Sequence, residues 1–248
     1  MQLKVLSIAA AVVLAGAVQA HAGILLSDTF SYPDGDLATV SGGKWVIHSG
    51  TTPLNVTGGT LTVTGANSED QHADLAGAPI SSGMLYAGFD VTLTALPTGT
   101  TYFAHFYNSS TTFRGKLFAT TSGAATNLFK FAISNNASSV PSIASPDLSP
   151  DTTYHVVLAL NPTDATTGVV TTLYIDAASE TGGLTATDGT TSIGINSFAF
   201  RQASGEGTMT VDNLVVATTF AEANGSAVPE PASLGLLVLG GLALLRRR

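Results

Sequence analysis

Residues 88–96, GFDVTLTAL, alternate strictly, with Phe89, Val91 and Leu93 on one side and Asp90, Thr92 and Thr94 on the other. A period of two marks a strand with one face in a core and one in water. Segment 128–134, LFKFAIS, repeats the pattern with Phe129, Phe131 and Ile133 inward, while 153–161, TYHVVLALN, is apolar on both faces, as a central strand is. Shorter runs rich in Thr, Val, Phe and Tyr at 44–48, 60–65, 101–108, 113–120, 169–176, 195–202 and 208–216 also read as strands. Gly, Asn, Asp and Pro separate them, and no internal stretch keeps a 3.6-residue period. The pattern predicts an all-β fold, a jelly-roll β-sandwich over 23–222. A β-helix would show a repeat of about 20 residues, and none is visible.

Both ends break this pattern. Residues 1–22 hold one lysine, an apolar run from Val5 to Val18 and small residues, with Ala20 and Ala22 in A-x-A-like cleavage positions. That order reads as a secretory signal peptide for a signal peptidase to remove. Residues 223–248 hold a Pro-Glu-Pro, then the uncharged run Ala232–Leu245, then Arg246, Arg247 and Arg248. As a helix, fourteen residues reach about 21 Å, short of the roughly 30 Å hydrocarbon core. The arginines orient such a span with its end in the cytoplasm. The tail is expected to insert only transiently in the inner membrane.

Composition narrows the reading. Charged residues make up 10% of the chain, against roughly 25% in ordinary soluble domains, so surface polarity falls to Thr, Ser, Asn and Gly. Between the termini, 23–227 carry five basic residues (Lys44, Arg114, Lys116, Lys130, Arg201) and sixteen acidic ones, a net charge of −11. Such a body repels nucleic acid. Cysteine is absent, which excludes disulfides, thiolate metal sites and a cysteine nucleophile.

The tail resembles the PEP-CTERM sorting signal of Gram-negative bacteria in its Val228, Pro229, Glu230 and Pro231, its short span and its terminal arginines. The resemblance implies that an exosortase, a membrane-embedded transpeptidase, recognises the Pro-Glu-Pro and removes the tail. It also implies residence in the envelope, at the outer surface, or in an exopolysaccharide-rich biofilm matrix. An ordinary single-pass anchor is the alternative, and the short span weighs against it. The body, through DTFSYPDGDL, GGKWVIHSG and SFAFRQASGEGTMTVDNLVV, resembles the laminin-G-like, concanavalin A-type jelly rolls of secreted bacterial proteins. That resemblance implies that the early Asp-x-Phe strand and the late Val-Asp-Asn strand are neighbours, with Trp45 following the first loop. It covers sugar-binding modules and glycosidases alike, so it leaves the function open.

Candidate chemistry is sparse. A glycosidase needs two carboxylates facing each other across a cleft, and the E-x-D-x-x-E strand motif of laminarinase-type relatives does not occur. Glu69 and Asp70 are expected in a solvated loop. No nucleophile elbow, P-loop or metalloprotease spacing occurs, and His48, His72, His105 and His155 are scattered, the last two inside apolar strands. The chain is therefore expected not to be an enzyme, with a secreted glycan-active enzyme on the same fold as the alternative. Acidic loops allow a structural calcium ion, for which Asp28 and Asp212 are the candidate ligands. Arg114 and Lys116, joined by Lys130 if 113–120 and 128–134 form a hairpin, make a positive strip near Tyr107 that suits an acidic polysaccharide. Edge-strand protection by lysine is the competing account.

Overall fold

The computed structural model describes residues 23–225 apart from 140, 165–167 and 190. In chain order the elements are β1 (Ile24–Asp28), β2 (Gly35–Asp36), α1 (Leu37–Val40), β3 (Val46–Ser49), β4 (Asn55–Thr57), β5 (Thr60–Thr64) and β6 (Asp70–Asp74). Next come β7 (Leu85–Ala95), β8 (Thr101–Tyr107), β9 (Phe113–Thr120), β10 (Lys130–Ser134), β11 (Ile143–Ala144) and β12 (Thr153–Asp164). The last are β13 (Gly168–Ile175), β14 (Leu184–Thr185), β15 (Ser197–Arg201), β16 (Thr208–Ala217) and α2 (Phe220–Ala223).

The strands form two antiparallel sheets. One has nine strands, in the order β14-β13-β12-β7-β16-β5-β4-β2, with β1 also on β16; the other has seven, in the order β11-β10-β9-β8-β15-β6-β3. The fold is the jelly-roll sandwich that the alternation predicts. The first and last strands are neighbours, Asp28 lying opposite Leu214. A register shift in β16 after Asp212 divides that strand, so β5 pairs with Thr208–Val211 and β1 with the half beyond Asn213.

Inward side chains of both sheets fill one core. Phe30, Trp45 and Phe200 meet at 5.7–6.1 Å between ring centroids, and Phe89, Phe198 and Phe106 continue the stack. Each such ring, fully buried, contributes about 1.5–3 kcal/mol, with offset and edge contacts adding to it. Trp45 sits where the jelly-roll resemblance puts it, and its indole N–H donates to the Asp28 carboxylate at 2.8 Å.

The segment 69–74 differs from expectation. It forms β6, between β3 and β15, and Glu69 and Asp70 are buried instead of solvated. DQHAD has no large apolar residue, so its pattern does not read as a strand. Backbone pairing on both sides supplies what side-chain pattern does not. At the other end of the chain, α2 opens on an N-cap, Thr219, whose Oγ1 accepts from the Glu222 N–H at 3.4 Å and donates to its carboxylate at 2.8 Å. Phe220 and Ala223 pack with Tyr86, Val157 and Ala159 on the outer side of the nine-stranded sheet. This helix spans the boundary expected at 222 and belongs to the sandwich.

Candidate functional site

Phe198 and Phe200 of β15 point into the core, so Ser197, Ala199 and Arg201 face outward from the seven-stranded sheet. Residues opposite one another share a face, and this register lays out three rows. Arg201 lies opposite Asp70; Ala199 lies between His72 and His105; Ser197 lies between Asp74 and Tyr107. The small Ala199 leaves room for rings on either side, and His48 reaches over from β3. His48 stacks on Tyr107 at 4.6 Å, Tyr107 stacks on Phe113 at 5.4 Å, and His105 meets Phe113 edge-on at 4.5 Å. Burial lowers the pKa of His48 to about 4, lowers that of His72, and holds His105 well below its ordinary value. All three rings are therefore neutral at neutral pH. His105 is packed, as its apolar strand predicts, but neither ring nitrogen has a hydrogen-bond partner.

Beside the rings lies a pocket of about 460 Å³, lined by Phe113, Arg114, Lys116, Asn136, Ser138 and two threonines. Lys116 Nζ donates to the Asn136 carbonyl at 2.6 Å and to Ser138 Oγ at 2.7 Å, and sits 5.0 Å from the Tyr102 ring centroid. Arg114 donates to Asn136 Oδ1 at 3.1 Å and to the Phe113 and Thr191 carbonyls. Burial, then the charges of Arg114 and Arg201, push Lys116 down to about 8. Among the described residues neither cation makes an ion pair with a carboxylate. Gly115 holds a φ of +57° between them, where a Cβ would press on Phe106 and Thr171 at 3.2–3.3 Å. Across the pocket, Asp188 accepts from the Ser134 hydroxyl and from the N–H groups of Asn135 and Asn136 at 2.9 and 3.0 Å. Burial opposes its charge, but these donors win and bring its carboxyl to about 2. Asp188 thereby fixes the loop that carries Asn136 and Ser138.

The structure sorts the residues of the positive strip. Arg114, Lys116 and Tyr107 do come together. Lys130 does not: it is paired with Asp147 at 2.9 Å and donates to the Ser145 carbonyl, neutralised along the strip. The hairpin itself is present, with Lys130 opposite Thr120. Edge protection does not account for Arg114 and Lys116, because β9 is flanked by β8 and β10.

Asp28 and Asp212 are not arranged as a calcium pair. Asp28 is filled by donors: the Phe30 N–H, the Tyr32 hydroxyl and the Trp45 indole, all at 2.8 Å, with Lys44 Nζ at 3.0 Å. A cation there would face an ammonium. Asp212 lies across from Asp90 and accepts the Asn213 N–H at 2.7 Å. His155 Nδ1 is hydrogen-bonded to that Asp90 at 2.8 Å.

Sequence reasoning also missed Glu206. It lies fully buried in the turn between β15 and β16, and neither carboxylate oxygen has a partner. Burial raises its pKa to about 8 and that of Asp70 to about 6, the latter against the pull of Arg201. GEG reads as an ordinary turn, so no sequence signal marks it. The two carboxyls lie close enough for the charge of Asp70 to raise Glu206 further.

Val228, Pro229, Glu230, Pro231, Arg246, Arg247 and Arg248, like Ala20 and Ala22, lie outside the described residues. For the tail, a family model decides: the PEP-CTERM protein-sorting motif matches residues 227–248. The chain carries a PEP-CTERM sorting motif. The motif marks an exported, exosortase-targeted protein associated with the cell envelope. Among the described residues no helix is long and apolar enough to cross a membrane. No curated protein matches the chain. Solved structures similar to this chain share its sandwich at low identity. An alginate lyase, Aly36B, in complex with an alginate trisaccharide is 15% identical with a TM-score of 0.50, covering 78% of this chain and 97% of that one. The potassium-bound carbohydrate recognition domain of Emp46p is 12% identical with a TM-score of 0.47, over 77% and 96%. A sialidase from Trypanosoma rangeli with sialic acid is 14% identical with a TM-score of 0.44, over 73% of this chain but 32% of that one.

Proposed function

We propose that this exported protein is a non-catalytic component of the envelope or extracellular matrix that binds acidic polysaccharide through the outer face of its seven-stranded sheet. One observation carries the reading. Arg114 and Lys116, both largely buried, line one pocket, and among the described residues neither is ion-paired with a carboxylate, in a body of net charge −11. Placing two such cations together is costly unless an anion completes them. The guanidinium fork suits a sugar carboxylate, the ammonium adds a point charge, and the partly exposed Phe113 lines the same pocket as an apolar contact for a pyranose. That Aly36B holds an alginate chain on the same sandwich agrees with a uronate ligand. The purified protein should be retained on an immobilised polyuronate and released by salt. Arg114→Gln and Lys116→Gln should each lose that retention while melting as the parent does. Equal retention by both variants refutes the reading.

Lys116 also favours a second reading, a glycan-active enzyme. An amine brought to about 8 is within reach of general-base duty. Incubation with a polyuronate separates the two: a binder leaves chain length unchanged, whereas an enzyme shortens it and depends on Lys116.

A further inference from the structure

The polysaccharide reading makes no use of the contact between His48 and His72. Their Nδ1 atoms, from β3 and β6, lie 3.2 Å apart. A hydrogen bond accounts for the distance when one neutral ring donates and the other accepts. So does a shared ligand, because two metal–nitrogen bonds of about 2.0–2.1 Å meeting at the tetrahedral angle hold their nitrogens about 3.3 Å apart. Two features favour the ligand. Asp74 Oδ1, which accepts the Ser197 hydroxyl at 2.7 Å, stands 3.9 Å from Nε2 of His72, beyond hydrogen-bond reach but close enough for its charge to favour a proton on Nε2 and a lone pair on Nδ1. Access is open, since β3 is the last strand of its sheet and both rings are partly exposed.

We propose that His48 and His72 bind a divalent transition-metal ion of the imidazole-preferring kind, such as Zn²⁺, Ni²⁺ or Cu²⁺, through their Nδ1 atoms. Among the described residues no group of three His, Cys, Asp or Glu forms a metal site. The protein therefore supplies two ligands, and water or an incoming carboxylate supplies the rest. The imidazoles adjoin Phe113 of the Arg114–Lys116 pocket, but the two sites share no proposed ligand, so metal binding and polyuronate retention are separate readouts.

Calorimetric titration of the full protein with Zn²⁺ alone, and with Ni²⁺ alone, tests this. One ion should bind per chain with saturation. His48→Ala and His72→Ala should abolish that binding, whereas His155→Ala, on the other sheet, should keep it. Asp74→Asn should weaken it. A parent protein that shows no saturable binding overturns the proposal, as does binding retained by both the His48 and His72 variants. Both rings pack on Tyr107, so a variant could fail to fold; the parent then supplies a second readout. Paramagnetic Ni²⁺ should broaden the imidazole proton resonances of His48 and His72 before those of His155, and broadening in any other order also overturns it.

Discussion

Glu206 gives the sharpest test of how burial shapes this molecule. Its carboxyl has no hydrogen-bond partner and no solvent, and its pKa stands at about 8 against an ordinary 4.5. The folded state thus holds the proton more tightly than the unfolded chain. Stability from this group is complete below pH 4.5 and is lost as pH rises toward 8. A difference of roughly 3.5 units at 1.36 kcal/mol each amounts to about 5 kcal/mol. Glu206→Gln keeps the shape and removes the titration. Urea unfolding at pH 5, 7 and 9 should show the parent losing several kcal/mol between the first and last values. The variant should lose markedly less and be the more stable protein at pH 9. Asp70, raised to about 6, adds a drop of the same sign at lower pH in both proteins, and because its charge also raises Glu206, the comparison is read between pH 7 and 9, where Asp70 is already ionised. Parallel pH profiles for parent and variant would refute the assignment of a buried, protonated carboxyl.

Asp28 runs the other way, because its donors hold its pKa below the ordinary value against the opposing effect of burial. Its contribution is lost as pH falls, and Asp28→Ala should cost about 3 kcal/mol in urea unfolding by stranding the Trp45 and Phe30 N–H groups. Trp45, the single tryptophan, should report that change directly by fluorescence. Phe200→Ala, at the junction of Phe30, Trp45 and Phe89, should cost about 3–5 kcal/mol by thermal or urea unfolding. Asp188→Ala should weaken polyuronate retention, because the loop bearing Asn136 and Ser138 loses its anchor and Lys116 loses a carboxylate charge that favours its protonation. Gly88→Ala should release α2 and open the segment after Ala217 to protease, since the added Cβ would overlap the Ala223 carbonyl.

Strands that alternate large apolar residues with polar or small ones, such as β7 and β10, were legible from sequence because the core takes one side of them and leaves smaller or polar residues on the other. β6 was not, because its inward positions hold Gln71 and Ala73 and its place comes from pairing partners distant in sequence. The same distance hid the imidazole group: Ala199 sets the gap between His72 and His105, and nothing local to any of the three announces it. Arg114 and Lys116 were visible as alternating cations. The fate of Lys130 turned on Asp147, seventeen residues away, and the freedom of the other two on β9 lying inside its sheet. The tail was the reverse case, since its Pro-Glu-Pro, span and arginines are contiguous and need no fold to be read.

Docking of α2 has a consequence for orientation. The helix lies on the outside of the nine-stranded sheet, and Gly23, where the described fold begins, exchanges hydrogen bonds with Thr218 just ahead of it. Entrance and exit of the domain therefore share one side. A protein held by the chain beyond Gly225 turns that side to its tether. It then presents the imidazoles and the Arg114–Lys116 pocket to its surroundings, as a palm faces away from a strap on the back of a hand.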